Sequence, residues 1–173
     1  MNLPEERQIQ YNAHVLWLKT NRREGTRLDW SDATLTNIDL SDAVLILARL
    51  RGARLVGANL AGANLIKATL NRADMHSINL CSANLSGARL NWSQLNKANL
   101  SSANLSGADA RGANMREADL SHANLSGADL SNACLSSANL SDAILDGADL
   151  KGVEQQGTEG LATVNNLFLD HTR

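Results

Sequence analysis

Apolar residues recur at every fifth position between residues 28 and 152. If each residue whose number is divisible by five is taken as the centre of a unit, there are 25 centres, and 21 of them are leucine. The residue two positions before the centre is alanine in 21 units as well. A period of five matches neither an α-helix nor a continuous strand, in which side chains repeat about every 3.6 and every two residues.

Each unit is compatible with a very short extended segment followed by a corner. In such a segment the centre and the residue two before it face the same side, so alanine and leucine point inward together. The two residues after the centre form the corner, and glycine often takes the second place, as at Gly107 and Gly127. Because other corners carry Lys67, Trp92 or His122, we expect only part of the corners to need a positive φ. A chain that turns at each corner stacks into an all-β solenoid.

The distribution of charge indicates four units in each coil of this solenoid. Every fourth unit then lies on the same face: the first face has the units centred at 30, 50 and so on to 150, and the second, third and fourth begin at 35, 40 and 45. The first face collects six basic residues, Arg49, Arg51, Arg72, Arg89, Arg111 and Lys151, whereas the third face has none. Taking every third unit instead leaves basic residues in all columns.

Units of the form A(D/N)LSG, such as those that begin at Ala103 and Ala123, resemble the pentapeptide repeat family. The resemblance extends over residues 28–152, and the segment HVLWLKTNRREGTRLDW resembles the lead-in before the first coil of many family members. The resemblance implies a right-handed quadrilateral parallel β-helix of about six coils of 20 residues.

Both ends of a stacked solenoid expose strand edges and an open core, so we expect caps. Residues 1–27 form the predicted N-terminal capping helix and lead-in, with a helix over 4–20 on which Ile9, Ala13, Leu16 and Trp17 recur at helical spacing. Residues 28–152 form the β-helix. Residues 153–173 form the predicted C-terminal cap, a short helix that begins at Thr158. The alternative role for either helix is that of a hinge or of a partner-binding helix.

Composition and scattered reactive residues argue against an enzyme. The formal net charge is −2, so direct nucleic-acid binding is not expected. Aromatic residues make up only 3% of the chain, so the core must consist of leucine and alanine. The histidines and the two cysteines lie at unrelated positions of the repeat, and we therefore predict no catalytic, cofactor or metal site. The longest apolar run, from Ala43 to Ala48, is too short to cross a membrane. Without a secretory signal, a cytoplasmic location is the expectation.

Three surface features are candidates for function. An exposed tryptophan beside arginines is typical of protein-binding anchors, and the first face has such a cluster: Trp92, Arg49, Arg51, Arg72, Arg89 and Arg111. The fourth face begins with four outward apolar residues, Val44, Ile46, Leu47 and Ile66. The N-terminal helix is the predicted cover of this apolar patch, and a partner protein or a second copy in a homodimer are the alternatives. The Asn and Asp residues of the third face predict hydrogen-bonded ladders, with an acidic binding surface as the alternative.

The leading functional hypothesis is therefore a non-catalytic, rigid interaction scaffold or regulator whose protein partner is unknown. Since the family is abundant in cyanobacteria, the resemblance implies a bacterial regulatory protein. The alternative is a DNA-mimicking protein that binds a topoisomerase such as gyrase, as one branch of the family does. Such mimics are strongly negative rods, and the near-zero charge of this chain departs from that pattern.

Overall fold

The computed structural model describes residues 3–160, and one α-helix, α1 (Glu5–Lys19), occurs in that range. Pro4 precedes the helix, Glu5 lies in its first turn and Lys19 in its last, an arrangement that matches the helix dipole. Asn21 and Arg22, just after the helix, both have positive φ, so the chain turns back there. Within the described residues, no helix is long and apolar enough to cross a membrane.

Residues 28–160 form a solenoid built from single-residue parallel pairings. The residue before each centre pairs with the residue twenty positions later, from Asp29 with Arg49 to Asn139 with Glu159. No strand is longer than one paired residue within residues 3–160. The backbone nitrogen of a centre donates to the carbonyl nineteen residues later, for example from Leu50 to Thr69 at 2.8 Å. Because paired residues are twenty positions apart, each coil contains four five-residue units.

The core is a column of buried leucine and alanine side chains. Leu85, Leu105 and Leu125, which follow one another at intervals of one coil, are each 0% exposed. Ala110 and Met115, two of the four centres that are not leucine, are buried to the same extent. Because both inward positions of nearly every unit are filled by apolar side chains, the interior leaves no room for convergent polar groups.

The second corner residue has a positive φ in every unit from Asp32 to Gly157, between 53° and 71°. The expectation that only part of the corners need this conformation is wrong. Bulky residues such as Leu47 (φ 63°) and Trp92 (φ 62°) adopt it along with the glycines. The reason is geometric, since each corner is stacked on the corners of the neighbouring coils and must make the same turn.

The repeat continues past residue 152, the predicted end of the β-helix. Cys134 pairs with Glu154 and Asn139 pairs with Glu159. The hydroxyl of Thr158 donates to the backbone oxygen of Leu135 at 2.7 Å, so this residue is bonded to the preceding coil. The remaining residues of the predicted C-terminal helix, from Leu161 onward, lie outside the described residues.

The apolar residues of α1 do not all face the first coil. Of the four that recur at helical spacing, Ile9 and Leu16 are 62% and 42% exposed, whereas the polar His14 is fully buried. The first coil presents unpaired backbone N–H and C=O groups to the helix, and these groups require polar partners. Side chains that can hydrogen-bond therefore face the solenoid, and the apolar pair faces outward.

Candidate interaction surfaces

Trp92 forms an aromatic platform on the first face. Its side chain is 58% exposed even though the residue occupies a strained corner with φ 62°. The ring lies over Gly112, one coil later, so closely that a β-carbon on Gly112 would be 2.5 Å from two ring atoms. One side of the indole therefore rests on the bare glycine corner, while much of the ring remains open to a partner.

The five arginines predicted around Trp92 fall into two groups. Arg49 pairs with Asp29 at 3.4 Å, and Arg111 makes two hydrogen bonds to Asp109, at 2.8 and 2.9 Å. Arg111 also lies 3.5 Å from Asp129. Hydrogen bonds from Arg111 lower the pKa of Asp109, and the same contacts raise the pKa of Arg111.

The other three arginines, Arg51, Arg72 and Arg89, are exposed and have no ion pair with any acid of residues 3–160. Lys151, near the other end of the first face, also forms no ion pair with the described residues. Arg51, Arg72 and Arg89 are the cations near Trp92 that remain available to a partner, although the positive charge of Arg89 also lowers the pKa of Asp109. In the described part of the chain, arginines stack over Trp30 and Trp17, at 5.5 and 5.3 Å, and not over Trp92. The platform and these three cations thus stand side by side without engaging each other.

Side chains of α1 satisfy backbone groups at the edge of the first coil. The Tyr11 hydroxyl accepts the N–H of Val44 at 3.0 Å, and Arg7 donates to the carbonyl of Thr34 at 3.3 Å. In later coils the equivalent groups pair with the coil before them, as the Asn64 nitrogen does with the Ala43 oxygen. The helix thus takes the place of a preceding coil at these positions.

Trp30, the first centre, lies beneath α1 and is 2% exposed. Its indole N–H donates to the Gln10 side-chain oxygen at 2.6 Å. A shallow cavity of about 270 Å³ lies beside it, lined by Pro4, Arg7 and Asp29 among other residues. The sequence predicted the burial of Trp30, but not the glutamine partner, because hydrogen bonding across the helix leaves no periodic signal.

The apolar patch of the fourth face is only half-buried, and none of its four residues is prominently exposed. Three of them are contacted through their backbone by the N-terminal segment. Tyr11 bonds to Val44, Arg27 donates to the Leu47 carbonyl, and the Ile46 carbonyl lies close enough to His14 to influence its pKa. Ile144, on the same face near the other end, is 48% exposed and was not singled out from the sequence.

The third face contains the predicted amide ladder. Asn59 donates to Asp39 at 3.1 Å, and Asn79 donates to Asn59 at 3.0 Å. Asn139 donates to Asp119 at 3.3 Å. On the fourth face, by contrast, the described bonds of Asn84 and Asn104 are to backbone N–H groups two residues later. The carboxamides of the third face thus tie neighbouring coils together.

No group of three or more His, Cys, Asp or Glu side chains within residues 3–160 converges as a metal site requires. Cys81 and Cys134 are unpaired and half-buried. His76 lies 2.7 Å from Asp74, and the pair is half-buried on the outer surface of the second face. The groups that could do chemistry are therefore dispersed over the outer faces.

The model of the pentapeptide repeats matches eight copies, in segments 29–60, 43–80, 58–96, 93–132 and 133–154. The chain belongs to the pentapeptide repeat family, whose members form right-handed quadrilateral β-helices and are generally non-enzymatic scaffolds or binders.

Solved structures that are similar include HetL, a pentapeptide repeat protein involved in heterocyst differentiation regulation in the cyanobacterium Nostoc sp. strain PCC 7120. HetL is 36% identical over 78% of this chain and 70% of its own, with a TM-score of 0.52. The plasmid-mediated fluoroquinolone resistance protein QnrB1 is 20% identical over 78% and 83%, with a TM-score of 0.49. A pentapeptide repeat protein of the Arabidopsis thaliana thylakoid lumen is 30% identical over 61% and 63%, with a TM-score of 0.28. No curated protein matches the sequence significantly.

Proposed function

We propose that this protein is a non-catalytic regulator that binds another protein through the first face. The observation that carries the proposal is Trp92, a large aromatic side chain 58% exposed on a rigid corner and supported from below by Gly112. Exposed tryptophan and arginine are the residue types that dominate the energy of protein interfaces. A platform that is already ordered before binding loses little conformational entropy when a partner covers it.

In this proposal the rest of the chain holds the first face rigid. Residues 28–152 and the short continuation to Glu159 form a rod of about six coils. Residues 1–27 close its N-terminal end, a role supported by the bonds from Tyr11 and Arg7 to the first coil. The same segment is the occupant that we propose for the apolar patch at Val44, Ile46 and Leu47. Residues 153–173 complete the proposed division of the chain.

The similarity to HetL supports a regulatory role, because that protein is involved in the regulation of differentiation in a cyanobacterium. HetL shares 36% of its residues with this chain over the matched region and has the same fold. A rod with a packed core and outward polar faces is suited to holding a partner rather than transforming a substrate.

Affinity capture from the organism of origin tests this proposal. The wild type is compared with Trp92→Ala and Arg89→Glu on the first face, and with Asp119→Lys on the third face as the control. We expect one or more proteins to be captured by the wild type and by Asp119→Lys, and lost with the two first-face variants. Loss with Asp119→Lys alone would transfer the binding site to the third face and contradict the proposal.

The alternative, a DNA mimic that binds a topoisomerase, is tested in parallel by a gyrase supercoiling assay with the purified protein. The first face carries arginines that a copy of the DNA surface would not present. We expect neither inhibition nor protection of the enzyme. Sedimentation of the same preparation reports whether a homodimer forms.

A further inference from the structure

We propose that the Trp92 surface binds a short acidic segment of its protein partner, one that also carries an apolar or aromatic residue. This inference rests on the proposed function, because it specifies the chemistry of the partner at that same surface. Its elements are the platform formed by Trp92 and Gly112 and three arginines that form no salt bridge within the described residues, Arg51, Arg72 and Arg89.

The arginines lie at successive levels of the rod below and beside the platform. Arg72 occupies the same corner column as Trp92, one coil earlier, and Arg51 lies one coil before Arg72. Arg89 belongs to the same unit as Trp92. With coils about 4.8 Å apart, the levels of Arg51 and Trp92 differ by about 10 Å, which about three extended residues span. The surface therefore matches a short motif and not a folded domain.

Charge complementarity identifies the sign of the partner. Arg49 and Arg111 are already neutralised by Asp29 and by the pair Asp109 and Asp129. The guanidinium groups of Arg51, Arg72 and Arg89 form no salt bridge within the described residues, and all three are exposed. Arg89 influences Asp109 only through its charge, while Asp109 itself is bound by Arg111. Guanidinium groups bind carboxylates with two parallel hydrogen bonds, so acidic side chains are their natural counter-ions.

The same face argues against an extended polyanion such as duplex nucleic acid. Its next three coils present Asp109, Asp129 and Asp149 in the column that holds Arg89. These carboxylates would face the phosphates of a duplex that continued along the rod, and like charges repel. A segment that ends beside Trp92 avoids them. The positive region is thus limited in length to the coils of Arg51, Arg72 and Arg89.

Trp92 supplies the apolar part of the recognition. Its ring rests on a glycine corner, because Gly112 has no side chain to displace it. Gly107 has nearly the same φ as Gly112, 63° against 62°, but a β-carbon added at Gly107 would meet nothing within 4 Å. The two glycines therefore form a matched pair, in which only one substitution would move the platform.

The experiment measures binding of short synthetic peptides to the full chain by calorimetry and by tryptophan fluorescence. The probe has Asp and Glu residues around a central leucine, and the comparison peptides replace the acids with Lys or with Ser. We expect the acidic peptide to bind, and its affinity to fall as the salt concentration is raised. Binding should change the tryptophan fluorescence of the wild type but not the fluorescence of the Trp92→Phe variant.

Four variants assign the effect to the surface. Arg72→Glu is expected to weaken the affinity for the acidic peptide about tenfold or more. Arg116→Glu makes the same charge change on the second face and should leave the affinity within about twofold of the wild type. Gly112→Ala is expected to weaken binding by displacing the ring, and Gly107→Ala to leave it unchanged. Thermal unfolding of each variant is recorded, so that a loss of fold is distinguished from a loss of binding.

Several results would overturn the inference. The inference fails if no peptide binds, or if the basic peptide, the neutral peptide or a short DNA duplex binds as tightly as the acidic peptide. It also fails if Arg116→Glu and Arg72→Glu weaken the affinity for the acidic peptide equally. If no acidic peptide binds but protein capture still depends on Trp92, only the inference fails and the proposed function stands. If capture is also independent of Trp92, the proposed function fails as well.

Discussion

The imidazole Nδ1 of His14 accepts the backbone N–H of Leu28 at 3.1 Å. In later units the residue at the position of Leu28 donates across the preceding corner, as the Ala53 nitrogen does to the Leu50 oxygen. Leu28 has no preceding corner, so a helix side chain accepts its N–H instead. Because Nδ1 is the acceptor, the ring is neutral, and its Nε2 is buried without a well-aligned partner.

This contact predicts that stability falls as the solution becomes acidic. Burial, and secondly the positive charge of Arg27, lower the pKa of His14 below its usual value, although the Ile46 carbonyl opposes the shift. Below about pH 6.5 the unfolded chain therefore binds a proton that the folded protein does not. The free energy of unfolding should fall by up to about 1.4 kcal/mol per pH unit until the folded-state pKa is reached. Denaturant titrations across this range measure the slope.

The substitution His14→Gln should remove this part of the pH dependence while leaving the contribution of the carboxylates at lower pH. An NMR titration of the imidazole signals checks the direction independently. A folded-state pKa of His14 above 6.5 would contradict the prediction.

Tyr11→Phe tests whether α1 stabilises the first coil through hydrogen bonding. The substitution removes the hydroxyl that accepts the Val44 N–H and leaves that group unpaired. We expect a loss of about 1 kcal/mol in the free energy of unfolding, the usual contribution of one such bond. Ile9→Ala, on the exposed side of the same helix, should cost less than about 0.5 kcal/mol. A larger loss for Ile9→Ala than for Tyr11→Phe would show that the helix orientation is wrong.

The uniform corner conformation predicts opposite effects at two exposed corners. Gly127 has φ 63° and no neighbour within 4 Å of an added β-carbon, so Gly127→Ala should destabilise by about 1 kcal/mol through backbone strain. Lys67 has φ 54°, and Lys67→Asn should stabilise by up to about 1 kcal/mol because asparagine adopts this conformation more readily. Thermal unfolding measures both changes. Equal melting temperatures for Gly127→Ala and the wild type would contradict the strain argument.

The amide ladder predicts that asparagines on different faces are not equivalent. Asn79→Ala removes a bond to the preceding coil, donated to Asn59, and a local bond from the Cys81 nitrogen. Asn104→Ala removes a local bond from the Ser106 nitrogen. The free energy of unfolding should therefore fall by about 1 kcal/mol more for Asn79→Ala than for Asn104→Ala, the usual contribution of one hydrogen bond. Similar losses in urea unfolding would mean that the ladder contributes little.

Much of the solenoid could be predicted because its determinants are local and repeated. The alanine and leucine of each unit identified the inward positions, and the charge distribution identified the twenty-residue coil. The burial of Trp30 and the ladder at Asn59 and Asn79 followed from the same periodicity. The exposure of Trp92 followed as well, since a corner residue cannot point into the core.

The remaining features depend on contacts that have no period. The exposure of Ile9 could not be predicted, because helical spacing identifies an apolar pair but not the polar edge that α1 meets. The division of the arginines into paired and free groups depends on which acid lies one coil away. The support of Trp92 by Gly112 requires both residues to occupy the same corner column, and the sequence shows this only when the coil length is known.

The sequence by itself determined the repeat unit, the composition of the core and the faces on which polar side chains collect, because each follows from inward or outward orientation within five residues. Only the tertiary structure decided the corner conformation, the side of α1 that faces the first coil and the arginines that are left for a partner. Those features arise from stacking, which brings together residues twenty or more positions apart and forces each to accept the geometry of its neighbours.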